Sequence, residues 1–193
     1  MSEHAQSFIT HLTGLKDRER GAFAHLKRSL GFDPGAYPPA YPYVERFVGA
    51  DKHADDPYRK ALYLTAGLFA FHPMHQIGTS LATALGIMAQ RRKQQSKSEN
   101  MERRFIALLG AEAESLPTML RQSISLLAAE GIGCDYADLL DDLARWFDRW
   151  KPEKLDQIRQ DWARDFYRAY EPYTATNKEA ETAADNTATE IEL

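Results

Sequence analysis

Apolar residues recur along this chain at intervals of three and four, which is the spacing of one helix face. Phe8, Ile9, Leu12 and Leu15 predict a helix over residues 5–16. Asp17 is a cap residue for a second helix, in which Phe23, Leu26 and Leu30 face inward and which Gly31 ends. Pro34, Pro38, Pro39 and Pro42 then fall within nine residues and exclude a regular helix. Tyr37, Tyr41 and Tyr43 between them predict an ordered loop with its rings packed on the helices. Asp55-Asp56-Pro57 opens a helix that is apolar nearly all round from Ala61 to Phe71, a pattern of central burial, and Pro73 stops it.

Thr79 or Ser80 caps the next helix, which carries Leu81, Leu85 and Met88 and runs into a polar stretch from Arg91 to Arg104. The middle of that stretch reads as an exposed loop. Ser96 and Glu99 fit a capping box, followed by a stripe of Met101, Phe105, Leu108 and Leu109. Ser115 and Pro117 begin a helix with Leu116, Leu120, Ile124 and Leu127 inside, closed by Gly131 and Gly133. Asp135 and Asp138 start another, whose stripe of Leu139, Leu140, Leu143, Trp146, Phe147 and Trp150 is rich in aromatics, with an Asp141–Arg145 pair at i, i+4. Lys151-Pro152 starts the last, through Leu155, Ile158, Trp162 and Phe166. No strand alternation occurs. The expected fold is all-α, with roughly eight helices in one or two packed bundles over residues 1–170. Residues 171–193 lack core residues and are expected to form an acidic, disordered tail.

Charge refines this picture. The formal net charge is -4, but six acidic residues and one lysine lie from Glu171 onward, which leaves about +1 for the body. Six basic residues cluster between Arg91 and Arg104: Arg91, Arg92, Lys93, Lys97, Arg103 and Arg104. Arg103 and Arg104 stand in the first turn of a helix, where the partial positive charge of the helix end disfavours cations and favours an anionic partner. Further surface candidates are Lys27, Arg28, Arg59, Lys60, Arg121, Arg164 and Arg168. The plainer reading of any one of them is a solvated helix flank.

Enzymatic motifs are missing. There is no phosphate-binding glycine loop, nucleophile elbow or zinc-protease signature. His72 and His75 lack a recognisable third ligand, so no metal and no cofactor is expected. Asp135, Asp138, Asp141 and Asp142 read as charge that favours a helix start, not as an acid/base pair. The lone Cys134 has no nearby base and excludes an internal disulfide, in keeping with a cytoplasmic location. The longest apolar stretch is too short to span a bilayer, so no membrane partner is expected. Dispersed arginines suit backbone contact to a single strand better than reading of duplex sequence. A helical protein-interaction adaptor, its charges merely solvated, is the alternative.

The segments AHLKRSLG (24–31), ALYLTAGLFAFHP (61–73), GTSLATALG (78–86), ENMERRFIALLGAE (99–112), LPTMLRQSISLLAAEGIGCDYADLLDDLARW (116–146) and IRQDWARDFYR (158–168) resemble, in this order, the CasB family, the small subunit of the type I-E CRISPR Cascade complex. The resemblance implies an all-α, non-catalytic subunit, present as two copies side by side. It implies contacts with the backbone and large subunits, with guide RNA and target DNA, and with the displaced strand. It places that role on Lys27 and Arg28, on Arg103 and Arg104 in the E-R-R element, and on Arg121. Gln122 departs from the pattern, standing where many relatives have a second basic residue.

Overall fold

The fold, taken from a computed structural model, is described for residues 2–95 and 100–171. Nine α-helices are present among the described residues: α1 (Glu3–Arg18), α2 (Arg20–Ser29), α3 (Tyr41–Val44), α4 (Pro57–Phe71), α5 (Leu81–Gln94), α6 (Met101–Leu109), α7 (Leu116–Glu130), α8 (Tyr136–Trp146) and α9 (Pro152–Tyr170). No strand occurs among these residues. A single bridge joins His75 to Cys134 and ties the α4–α5 connection to the start of α8.

Helix α4 is the axis of the molecule. The Asp56 carboxylate accepts the Tyr58 and Arg59 amides at 2.9 and 3.1 Å, and Pro57 fills the position where no amide donor is needed. Every residue from Ala61 to Ala70 is buried. Helices α2 and α8 cover α4 on its main faces, and α1 packs on α8 and α2. A second packing centre pairs α5 with α9, joined by α6 and α7. One continuous core runs through both, so where one or two bundles were expected there are two packing centres in a single packed body. Two glycines set the spacing. A Cβ on Gly67 would lie 2.7 Å from the Leu30 side chain, and one on Gly86 would lie 2.4 Å from the Phe166 carbonyl oxygen.

Several local expectations change. Asp17 lies inside α1, and the break falls at Glu19, which makes no side-chain cap. The proline-rich stretch is not a plain loop. Pro38–Ala40 and Glu45–Phe47 form 3-10 turns on either side of α3, with prolines at the tolerated first positions. Tyr37, Tyr41 and Tyr43 do pack against the core. Arg145 pairs with Asp142 at 3.3 Å, and Asp141 accepts from the Ser2 hydroxyl at 2.7 Å. Trp150 leaves the aromatic stripe and is 90% exposed, since α8 ends at Trp146. The proposed capping box at Ser96 and Glu99 lies outside the described residues.

Asp142 gives a pH test of this packing. Burial lifts its carboxyl to about 6 from an ordinary 3.8, against the opposing pull of the Trp162 indole N–H, which donates to it at 2.7 Å. A raised carboxyl favours the protonated form in the folded state. Its contribution is therefore complete below the unfolded value and is lost as pH rises through about 6. Asp142→Asn is expected to remove roughly 1–3 kcal/mol of the stability difference between about pH 4 and about pH 7. Urea midpoints at both pH values check this, and an unchanged difference contradicts it.

Candidate nucleic-acid interface

The basic stretch splits into two helix ends that meet. Arg91, Arg92 and Lys93 form the last turn of α5, where the helix dipole favours cations. That part of the expected loop is therefore helical. Arg92 reaches across to Glu130 at the end of α7, with Nη2 at 3.0 Å from the carboxylate, and touches the Met101 sulfur at 3.6 Å. Lys93 pairs with Glu171 at 2.9 Å and lies over the Tyr170 ring at the end of α9. Arg91 is exposed and forms no ion pair among the described residues.

Helix α6 starts from Asn100, held at φ 85° with no side-chain cap. Met101, Phe105 and Leu108 turn inward, and Phe105 stacks on Phe166 of α9 at 3.9 Å. That anchoring leaves Arg103 and Arg104 exposed in the first turn, with no carboxylate partner among the described residues. Two uncompensated cations therefore stand at the end of a helix dipole that disfavours them. Glu102 beside them accepts a hydrogen bond from the Tyr167 hydroxyl at 2.8 Å, which locks the α6 start to the last turns of α9.

Arg121 is exposed on α7. Its neighbour Gln122 lines, together with Arg104, a cavity of about 190 Å³ floored by Leu85, Met101, Phe105, Leu108, Met119 and Leu126. The structure thus brings Arg104 and the segment next to Arg121 to one cavity, with Arg103 beside Arg104 on α6 and Arg91 in the last turn of α5. Lys27 and Arg28 are exposed at the end of α2, with Lys27 over the Phe71 ring at the end of α4. Neither forms an ion pair among the described residues.

Arg59 is not on the surface as expected. Its side chain is 10% exposed, donates to Glu45 at 2.6 Å and lies near the Tyr41 and Tyr63 rings, so it serves as an internal tie to the proline-rich segment. Lys60 pairs with Asp55 at 2.9 Å and Arg164 with Asp161 at 2.9 Å, whereas Arg168 is exposed and has no ion pair among the described residues. Lys97 lies outside the described residues. Sequence reasoning overlooked Tyr167, which is 40% exposed and borders the basic group. The interleaved aromatic and basic residues of the W-A-R-D-F-Y-R segment carry that signal.

The residues of the enzymatic reading have structural partners. His72 is buried with Nε2 at 2.8 Å from the Ile132 carbonyl, and His75 accepts the Tyr136 amide at 3.2 Å. Asp135 caps α8 and also accepts the Gly78 amide at 2.9 Å. Burial pushes the Cys134 thiol up to about 12, which removes its nucleophilic form. Among the described residues, no three histidine, cysteine or carboxylate side chains are grouped to hold a metal ion. No helix among them is long and apolar enough to cross a membrane.

Comparison with known proteins agrees with this architecture. Residues 22–167 match the profile of the family described as CRISPR-associated protein Cse2. The chain is 44% identical over 161 residues to the CRISPR-associated protein Cse2 of Thermus thermophilus, covering 83% of this chain and 86% of that one. The crystal structure of a Cse2-family CRISPR-associated protein from Thermus thermophilus superposes with a TM-score of 0.72 at 39% identity, over 86% of this chain and 99% of the other. Other matching structures carry the name CasB. A chain of a CRISPR RNA-guided surveillance complex shares the fold, with a TM-score of 0.70 at 20% identity over 92% of this chain and 98% of that one. The match runs from α2 to α9 and spans both packing centres. This chain belongs to the Cse2 (CasB) family of CRISPR-associated proteins.

Proposed function

We propose that this chain is a non-catalytic structural subunit of a type I-E Cascade complex whose basic surface contacts guide RNA or target DNA and steadies the displaced strand. Family membership supports the assignment to the complex. The observation that carries nucleic-acid contact is the exposed pair Arg103 and Arg104 at the start of α6, without ion pairs among the described residues. Arginine forks match phosphate oxygens in two parallel hydrogen bonds, and a helix N-terminus adds to the attraction. Such contacts supply charge and shape, while guide pairing supplies sequence. The remaining faces would meet the backbone subunits, the large subunit and a second copy of this chain. Arg28 and Lys27 form a second, smaller basic group that follows the same logic. Arg59 has no place in this surface, because Glu45 already occupies its guanidinium.

Titration of the protein with oligothymidine at several salt concentrations tests the reading. Three or four phosphate contacts predict weak binding, indifferent to sequence, with a log-log salt slope of about -2 to -3, from roughly 0.7 per phosphate. A flat salt response favours the adaptor, in which the charges are only solvated.

A further inference from the structure

We propose that the cavity between α6 and α7 is a subsite for a single unstacked nucleobase, taken from a strand whose phosphates lie on Arg103 and Arg104. The cavity follows from the two helix faces that form it. Arg104, Ala107 and Leu108 fall at i, i+3 and i+4 on α6, and Met119, Gln122, Ser123 and Leu126 at i, i+3, i+4 and i+7 on α7. Ala107 and Ser123 are the small members of these faces, and Leu85 of α5 lines the space with them.

Size and lining suit a flat ring. At about 190 Å³ the cavity is above the roughly 150 Å³ that holds a benzene ring and below the roughly 300–1,000 Å³ of sites that enclose a drug-sized molecule. It therefore admits one base, with the sugar and phosphate left outside. The Met101 and Met119 thioethers are soft partners for an aromatic ring. Gln122 and Ser123 supply what a base edge needs. The first is an exposed amide with donor and acceptor; the second donates to the Met119 carbonyl at 3.0 Å and keeps its oxygen able to accept.

Charge decides between a base and a protein side chain. Among the described residues, Arg104 is the only charged group that lines the cavity, and no carboxylate faces it. Arg104 is also exposed, next to Arg103, and neither has an ion pair among the described residues. One nucleotide can therefore put its base in the cavity and its phosphate on the arginine at the rim. An aliphatic side chain from a protein would fill the space but leave both cations without a counter-charge. Insertion is indifferent to sequence, because every base offers a ring face.

The subsite rests on the phosphate contact proposed above, so the probes separate ring from phosphate. Oligothymidine is compared, on the full chain, with an abasic strand of the same length and charge. The abasic strand is expected to bind about five- to fiftyfold more weakly with an unchanged salt slope, because a base adds contact and no charge. Ala107→Leu narrows the cavity from an exposed position. It should bring oligothymidine down to the abasic level and leave abasic binding as it was, with the urea midpoint as the check on folding. In methyl NMR spectra, oligothymidine should shift the Met101 and Met119 methyl resonances through the ring current of the base, and the abasic strand should not. Equal affinity of the two strands, with salt dependence intact, overturns the subsite and leaves the phosphate contact standing. Methyl shifts with a flat salt response support base insertion and count against the phosphate contact alone. Binding of neither strand overturns both. Unchanged oligothymidine binding in Ala107→Leu, with weaker assembly of the complex, assigns the cavity to a protein side chain and overturns the proposal.

Discussion

Reversing both charges at the start of α6, Arg103→Glu with Arg104→Glu, is expected to weaken oligothymidine binding by about 10- to 100-fold at low salt and to flatten the salt slope by about 1.4 or more. Both side chains are exposed and free of ion pairs among the described residues, so the fold loses no ion pair. Acidic residues also suit the first turn of a helix, so stability should hold or rise slightly. Affinity and stability thus move in opposite directions, which separates phosphate contact from damage to the fold. The neutral pair Arg103→Gln with Arg104→Gln should lose less affinity, because it removes attraction without adding repulsion. Fluorescence anisotropy at several salt concentrations, together with thermal unfolding, reads all of these. Unchanged affinity in the charge-reversed protein rejects this element as the contact.

The largest loss of stability is expected at Gly86. A Cβ there would sit 2.4 Å from the Phe166 carbonyl oxygen and 2.8 Å from the Ala169 Cβ. The first of these is backbone and cannot swing away, so α5 and α9 must part. Phe166 is also the ring on which Phe105 of α6 stacks, so any shift of α9 reaches the basic group. Gly86→Ala is expected to destabilise by about 1–3 kcal/mol, the usual range for overpacking a core, and Gly86→Val by more. The helix-propensity advantage of alanine over glycine, about 1 kcal/mol, offsets only part of this. Urea unfolding measures the loss. Unchanged stability in Gly86→Ala would mean that α5 and α9 are not in backbone contact at this crossing.

The helices were readable from the chain because each buries one stripe at regular spacing, and α4 because its cap and first proline sit together at Asp56-Pro57. The outward turn of Arg103 and Arg104 follows from the same geometry, since Met101 and Phe105 point inward on either side of them. What could not be read was how distant segments meet. Glu45, the partner of Arg59, lies in the proline-rich segment, and no periodicity reveals that its carboxylate folds back on α4. The meeting of the α5 end with the α9 end is likewise a property of packing, which brings Lys93 to Glu171 across most of the C-terminal half. Trp150 misled for a related reason. Its spacing continues the α8 stripe, but the helix stops before the stripe does. Arg145 differs in the same way, pairing with Asp142 while Asp141 accepts from Ser2 at the other end of the chain.

Contact with nucleic acid through the start of α6, inside the assembled complex, is the central claim. It is tested most directly by placing a photo-crosslinking amino acid at position 103 and irradiating the reconstituted complex with guide RNA and target DNA bound. The account predicts that the complex assembles and that position 103 crosslinks to a nucleic-acid strand. Assembly with crosslinks to protein subunits alone would contradict it.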